Sequence, residues 1–301
     1  MSVTAWATCA ASSTTGSRCT AAPAAPPRCP SHDEHPVMSA HPMIASFGYH
    51  EITDEPCGTG FQRPGALPYT LTPRAFADHL TQIAASDAHP TRVTDIDFTR
   101  PGRFLVLTFD DGGKSALHAG DMLACRGWTG HFFIVSSLMG QRTFATANDI
   151  RYLASCGHVV GTHSHTHPDI FPDLTPARML EEWRTGSDAI SAILGAPCLT
   201  ASVPGGDISR QVLESAAVAG IRYLFTSEPW LSPRSLNECR VLGRFSPRVG
   251  TSSARIRELA QFRGWTSALV VRRLKGLARA GLPLLYRHYV RQTTRARPGA
   301  D

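Results

Sequence analysis

The chain has 301 residues, 42% of them hydrophobic, and a formal net charge of +6. That length supports one large core or two modest ones, and no run of about eighteen apolar residues exists to form a spanning helix. The charge is uneven: from Arg255 onward eleven Lys or Arg face two acids, a net of +9 that leaves −3 for the rest, so the basic character belongs to the C-terminal segment.

The opening stretch MSVTAWATCAASSTTGSRCTAAPAAPPRCP is rich in Ala, Ser, Thr and Pro. It lacks a basic start followed by a compact apolar run, so it makes a poor signal peptide. Residues 1–40 read as a disordered N-terminal extension, or as sequence upstream of a chain that starts at Met38 or Met43. The eight cysteines (Cys9, Cys19, Cys29, Cys57, Cys125, Cys156, Cys198, Cys239) form no CxxC pair. They read as reduced, mostly buried thiols of a cytosolic protein.

Residues 43–49, MIASFGY, predict a strand leading to His50, and 50–72 a loop. TPRAFADHLTQIAA predicts a helix capped by Thr72 with Pro73 in its first turn. From residue 104 strands and helices alternate: RFLVLTF, GHFFIV, HVVGTH, CLTASV and RYLFTS as strands, with helical segments between them. The longest of these, TPARMLEEWRTGSDAISAILG, opens on Thr175 and Pro176. This alternation predicts an α/β fold, a distorted or partial (β/α) barrel over 41–250, followed by a basic helical segment over 251–301. The strand ends read TFDDGG, GTHSHTHP, SVPGGD and TSEPW, which is how a site built from loops on one face of a barrel is laid out.

Asp110 and Asp111 follow an apolar strand directly and point to opposite sides if the chain stays extended. One carboxylate then binds a metal while the other faces substrate or water; the bland alternative is a turn. His163, His165 and His167 share one side of a strand, whereas in a helical turn His163 and His167 share a face and His165 points away. Pro168 ends any such turn. A set of Asp111, His163 and His167 suits zinc or another divalent ion, with Asp110 left as general base.

TFDDG followed some fifty residues later by HSHTH resembles the first two motifs of the polysaccharide deacetylase (NodB-homology, carbohydrate esterase family four) family. The resemblance runs from about Met43 to Arg248 and implies a distorted (β/α) barrel and metal-dependent removal of acetyl groups from sugars. It implies that Asp111, His163 and His167 are metal ligands, Asp110 the base, and His165 a variable position. It also places the oxyanion site after Pro204, at the backbone N–H of Gly205 or Gly206. The later motifs depart. Where the family has an arginine that holds the base, this chain has Ser202, and CRVLGRFSPR offers Gly243 and Arg244 in place of a general-acid histidine. His50 is the substitute acid, and Arg244 a stabiliser of developing negative charge.

In the basic tail, Val270, Leu274, Leu277 and Ala278 share one helical face, with Arg272, Lys275 and Arg279 nearer the other, and Pro283 divides the segment into two helices. Two readings stand: a helix packed on the barrel, or a peripheral helix meeting anionic lipid headgroups. No nucleic-acid-binding motif accompanies the charge. The expected protein is a cytoplasmic hydrolase, or one at the inner face of the membrane, that deacetylates a glycan or glycan precursor. The alternatives are hydrolysis of another C–N bond, such as a formamide on a lipid-linked sugar, and a non-catalytic carbohydrate-binding relative.

Overall fold

The structure, a computed structural model, describes residues 41–294; the extension over 1–40, with Cys9, Cys19 and Cys29, lies outside the described residues. Eight strands form one sheet: β1 (Met43–Tyr49), β2 (Arg103–Phe109), β3 (Gly130–Ile134), β4 (Val159–Thr162), β5 (Thr200–Ser202), β6 (Tyr223–Phe225), β7 (Arg234–Leu236) and β8 (Cys239–Leu242). Their order is β1-β2-β3-β4-β5-β6-β8-β7, and every neighbouring pair is parallel except β7 with β8. The sheet curls until the segment after β8 meets β1. There the Gly48 N–H donates to Phe245 O and the Phe245 N–H to Ser46 O, both at 2.9 Å, in a parallel bridge between Phe47 and Phe245. This is a (β/α) barrel in partial form, as the alternation of strands and helices predicts.

The helices between strands start where local chemistry places them. In α1 (Pro73–Ala84) and α4 (Pro176–Leu194), Thr72 and Thr175 accept the orphan N–H groups of Ala75 and Arg178, and proline opens each first turn. Thr146 and Asp149 form a capping box on α3 (Ala147–Ser155), and Gly195 ends α4 at φ +66. The remaining helices are α2 (Ala116–Ala124), α5 (Arg210–Val218), α6 (Ser253–Ala260), α7 (Trp265–Gly281) and α8 (Pro283–Thr294).

Strand alternation sorts the core into layers. Along β2, Leu105, Leu107 and Phe109 pack outward in a cluster with Phe76 and Leu80 of α1, while Phe104 and Val106 face the barrel interior with Phe133, Phe225 and Leu242. A third cluster joins α4 and α5 to β5, β6 and β8 through Trp183, Val212, Leu224 and Val241.

Three expectations are corrected. The β7–β8 hairpin has no counterpart in the sequence reading: β7 is three residues long and mostly exposed, and its turn uses Asn237 at φ +52 followed by Glu238 without glycine. Of the five described cysteines, all free, only Cys198 and Cys239 are buried, whereas Cys57 and Cys125 are exposed. In α7 the faces are reversed relative to a docked amphipathic helix. Val270, Leu274 and Leu277 are 51, 61 and 69% exposed, and Arg272 turns inward onto Asp207 and Glu228. Ala278, Lys275 and Arg279 lie outside the described side chains. Within residues 251–294, Ile256, Leu259 and Trp265 belong to the barrel's core, and Val290 of α8 is buried.

Candidate functional site

The site lies at the C-terminal mouth of the barrel, in a cleft of about 310 Å³ lined by Asp110, Asp111, His163 and His167 together with His50 and Gly205. Asp110 continues the alternation of Val106 and Thr108 and therefore enters the interior. Asp111 does not. Its φ of +73, followed by Gly112 at +74, swings the chain left-handed and sends its carboxylate to a separate place.

The histidine segment is neither strand nor helix. Ser164 and His167 adopt φ of +67 and +54, and the Ser164 hydroxyl accepts the His167 N–H at 3.1 Å, closing a tight turn before Pro168. This turn brings His163 Nε2 to 3.4 Å and His167 Nε2 to 3.6 Å from Asp111 Oδ1. One ligand atom from each of the three side chains lies within 4.8 Å of the others. His165 is elsewhere: its Nδ1 is 2.8 Å from Ser136 Oγ, and its ring does not line the cleft.

The hydrogen-bond network sets the His163 tautomer. The Ser202 hydroxyl donates to Asp110 Oδ1 at 2.9 Å, so it accepts from His163 Nδ1 at 2.5 Å; the same N–H also meets the Ser202 carbonyl at 3.0 Å. With Nδ1 protonated, neutral His163 presents a lone pair at Nε2 toward Asp111. Burial disfavours the charged ring, but Asp110 and then Asp111 outweigh it and raise the His163 pKa. Burial and the neighbouring His163 push His167 down to about 3, and its Nδ1 is buried without a protein partner. Two imidazole nitrogens and one carboxylate oxygen converging in this way fit a divalent ion, which competes with protons for the same atoms.

Asp110 is held by a residue that the sequence reading assigned elsewhere. Arg244, fully buried, donates from one terminal nitrogen to Asp110 Oδ1 at 2.7 Å and from the other to Oδ2 at 2.8 Å. Its Nε donates to Thr226 O, and it also reaches the Thr108 hydroxyl, both at 2.9 Å. The guanidinium sits 6.0 Å from the Phe133 and Phe225 ring centroids, capping the interior cluster. Gly48 leaves room for it: a Cβ there would stand 3.4 Å from Arg244 Cζ. Arg244 is thus committed to a carboxylate and is not a free stabiliser of developing charge. Burial opposes ionisation of Asp110, but Arg244 outweighs it and holds the carboxyl well below the usual range.

His50 leaves β1 into the same cleft, its ring 4.6 Å from that of Tyr69 and its Nδ1 buried without a partner. Burial lowers its pKa. Pro204 is buried, and Gly205 and Gly206 line the cleft at φ +65 and +70. The Gly206 N–H already donates to Val203 O at 2.8 Å, so it is removed from the oxyanion donors and Gly205 is left.

Residues 98–224 match the family model described as polysaccharide deacetylase. This segment is thus similar to polysaccharide deacetylases. Similar solved structures include IcaB from Ammonifex degensii, with a TM-score of 0.61 at 20% identity, covering 73% of this chain and 97% of that one. A de-N-acetylase from Aggregatibacter actinomycetemcomitans has a TM-score of 0.60 at 15% identity, with coverage of 72 and 99%. The Streptococcus pyogenes deacetylase PplD, in complex with acetate, has a TM-score of 0.59 at 15% identity, with coverage of 73 and 98%. At these identities the likeness is one of fold. No curated protein matches the chain.

Two buried carboxylates beside the site were invisible to motif reading. Glu182 of α4 accepts the His165 N–H at 3.0 Å, the Thr166 N–H at 2.7 Å and the Thr166 hydroxyl at 2.7 Å, which fixes the histidine turn from behind. Its signal was an acid on the inward face of a predicted helix. Glu51 accepts the Ser115 hydroxyl at 2.6 Å and the Thr59 hydroxyl, beneath the Asp110–Asp111 turn. Burial raises its pKa to about 7.

Proposed function

We propose that this chain is a metal-dependent hydrolase that removes acetyl groups from a glycan or glycan precursor. The observation that carries the reading is the pairing of two carboxylates with opposite commitments: Asp111 converges with His163 and His167, while Asp110, kept ionised by its Arg244 clamp, lines the cleft on the other side. Asp111, His163 and His167 would hold a divalent ion, zinc by its donor set, which supplies Lewis acidity toward an acyl carbonyl and acidifies water.

The chain's own residues do the rest. Asp110 accepts the proton of the attacking water, and the Arg244 fork keeps its carboxylate oriented. The Gly205 N–H donates to the oxyanion as the carbonyl becomes tetrahedral. His50, the cleft histidine outside the triad, delivers a proton to the leaving nitrogen or oxygen, with Asp111 and Asp110 favouring its charged form against burial. A purely carbohydrate-binding relative has no use for the clamped carboxylate. The exposed ridge of Val270, Leu274 and Leu277 beside the basic tail supports contact with an anionic membrane surface.

The test is acetate release from a panel of acetylated sugars by the zinc-loaded protein and its Asp110→Asn variant. A loss of about a hundredfold or more in the variant supports the reading. Equal release by both proteins removes Asp110 as the base.

A further inference from the structure

A second cavity, of about 350 Å³, adjoins the cleft. Its walls carry four arginines, Arg244, Arg248, Arg255 and Arg272, and hydroxyls that include Ser227, Ser246, Thr251 and Ser267; no carboxylate is among its lining residues. Tyr69, Ser227, Ser246 and Arg248 line both spaces, so a group in one lies beside a group in the other.

The four arginines differ in what they have left to give. Arg244 is committed to Asp110, Arg255 pairs with Glu258, and Arg272 pairs with Asp207 and Glu228. Arg248 has no carboxylate partner among the ion pairs of the described residues. Its guanidinium lies 4.7 Å from the Tyr69 ring centroid and donates to the Tyr69 hydroxyl. A guanidinium placed over an aromatic ring, with one donor on the ring's hydroxyl, keeps its remaining N–H donors for an oxyanion. It stands at the shared wall, with several hydroxyl donors and the first turns of α6 and α7 facing the same space.

We propose that this second cavity binds a phosphate or diphosphate group carried by the sugar whose acetyl group enters the cleft, with Arg248 as its principal ligand. The proposal rests on the deacetylase reading for the sugar, and on the arginine cavity alone for the phosphate. Val271, 52% exposed, lines the cavity and continues into the apolar ridge of Val270, Leu274 and Leu277. The phosphate can therefore be borne by a lipid or by a soluble sugar phosphate.

Inorganic diphosphate is the first probe, titrated calorimetrically into the full chain, its His163→Ala variant and its Arg248→Ala variant. Binding that persists in His163→Ala and weakens roughly ten- to hundredfold in Arg248→Ala, with an unchanged melting temperature, supports the site. No binding, or equal binding in Arg248→Ala, overturns it. Acetate release separates this proposal from the functional one. N-acetylglucosamine 1-phosphate is compared with the neutral methyl glycoside, and Arg248→Ala should lower kcat/KM for the phosphate alone. An equal change for both substrates overturns the site and leaves the deacetylase reading intact. Diphosphate binding without acetate release from either substrate does the reverse. Sedimentation with phosphatidylcholine vesicles, with and without phosphatidic acid, identifies the source. A lipid-borne phosphate requires binding that is lost in both Arg248→Ala and Leu274→Ser; a soluble one leaves diphosphate affinity unchanged in Leu274→Ser with no vesicle binding.

Discussion

Arg244 grips Asp110 fork to fork, at 2.7 and 2.8 Å, with both side chains buried. Removing one partner of such a pair leaves an uncompensated charge in the interior, so Arg244→Ala should cost about 3–5 kcal/mol in denaturant unfolding. Arg244→Lys keeps the charge without the fork and should fall between the two. The folded pKa of Asp110 is depressed, so its stabilisation is present above the unfolded value and lost as pH falls through the folded one. Without Arg244 burial dominates, and the acid limb of the activity profile should move upward.

Metal content separates the three clustered histidines. His163→Ala and His167→Ala should lose stoichiometric metal by mass spectrometry of the purified protein, while His165→Ala, whose ring turns to Ser136, should retain it. Full metal occupancy in His163→Ala would falsify the assignment of the triad.

His50→Gln should lower kcat by roughly a hundredfold with metal content unchanged, the usual scale for loss of a general acid. A wild-type rate would move proton delivery to another group or to solvent.

Glu182 receives three donors from His165 and Thr166. Glu182→Ala strands two backbone N–H groups and should cost about 2–3 kcal/mol, together with a roughly ten- to hundredfold loss of metal affinity, since the histidine turn loses its backing. Gly186→Ala tests the same contact from the helix side: its Cβ would approach Thr162 Oγ1 to 2.3 Å, and the expected readout is a lower melting temperature.

Glu51 makes stability depend on pH. Its folded pKa is raised from 4.5 to about 7, chiefly by burial. A carboxyl raised on folding stabilises the native state most when protonated. Its contribution is therefore complete below the unfolded value and lost as pH rises through about 7. Glu51→Gln should flatten the melting temperature across this window and exceed the wild type on its alkaline side. Parallel curves for the two proteins would show that Glu51 does not titrate there.

The barrel, the convergence of Asp111 with His163 and His167, and the separate placement of Asp110 were legible because each rests on local pattern. Buried parallel strands read as apolar runs, caps read as Thr-Pro, and the converging side chains read as clusters at strand ends. Arg244 could not be read in the same way. It stands 134 positions from Asp110, and the pairing of β8 with β6 and the docking of Phe245 against β1 bring the two together. Motif logic looked for the clamp after β5, found Ser202, and counted the arginine as missing. The serine does link Asp110 to His163, but it cannot supply the charge. The outward apolar face of α7 was likewise hidden, because periodicity reveals that a helix has two faces without saying which one meets the barrel.

The distance in sequence between Asp110 and Arg244 has a consequence during synthesis. A growing chain carries Asp110, Asp111, His163 and His167 well before it carries the arginine that makes a buried Asp110 tolerable. Until the residues after β8 close onto Phe47, the inner mouth of the barrel can shut only by neutralising that aspartate or by leaving it wet. The carboxylate on which the proposed chemistry depends therefore doubles as a proofreader of chain completeness: a product truncated ahead of Arg244 keeps every proposed metal ligand and loses the ionised base.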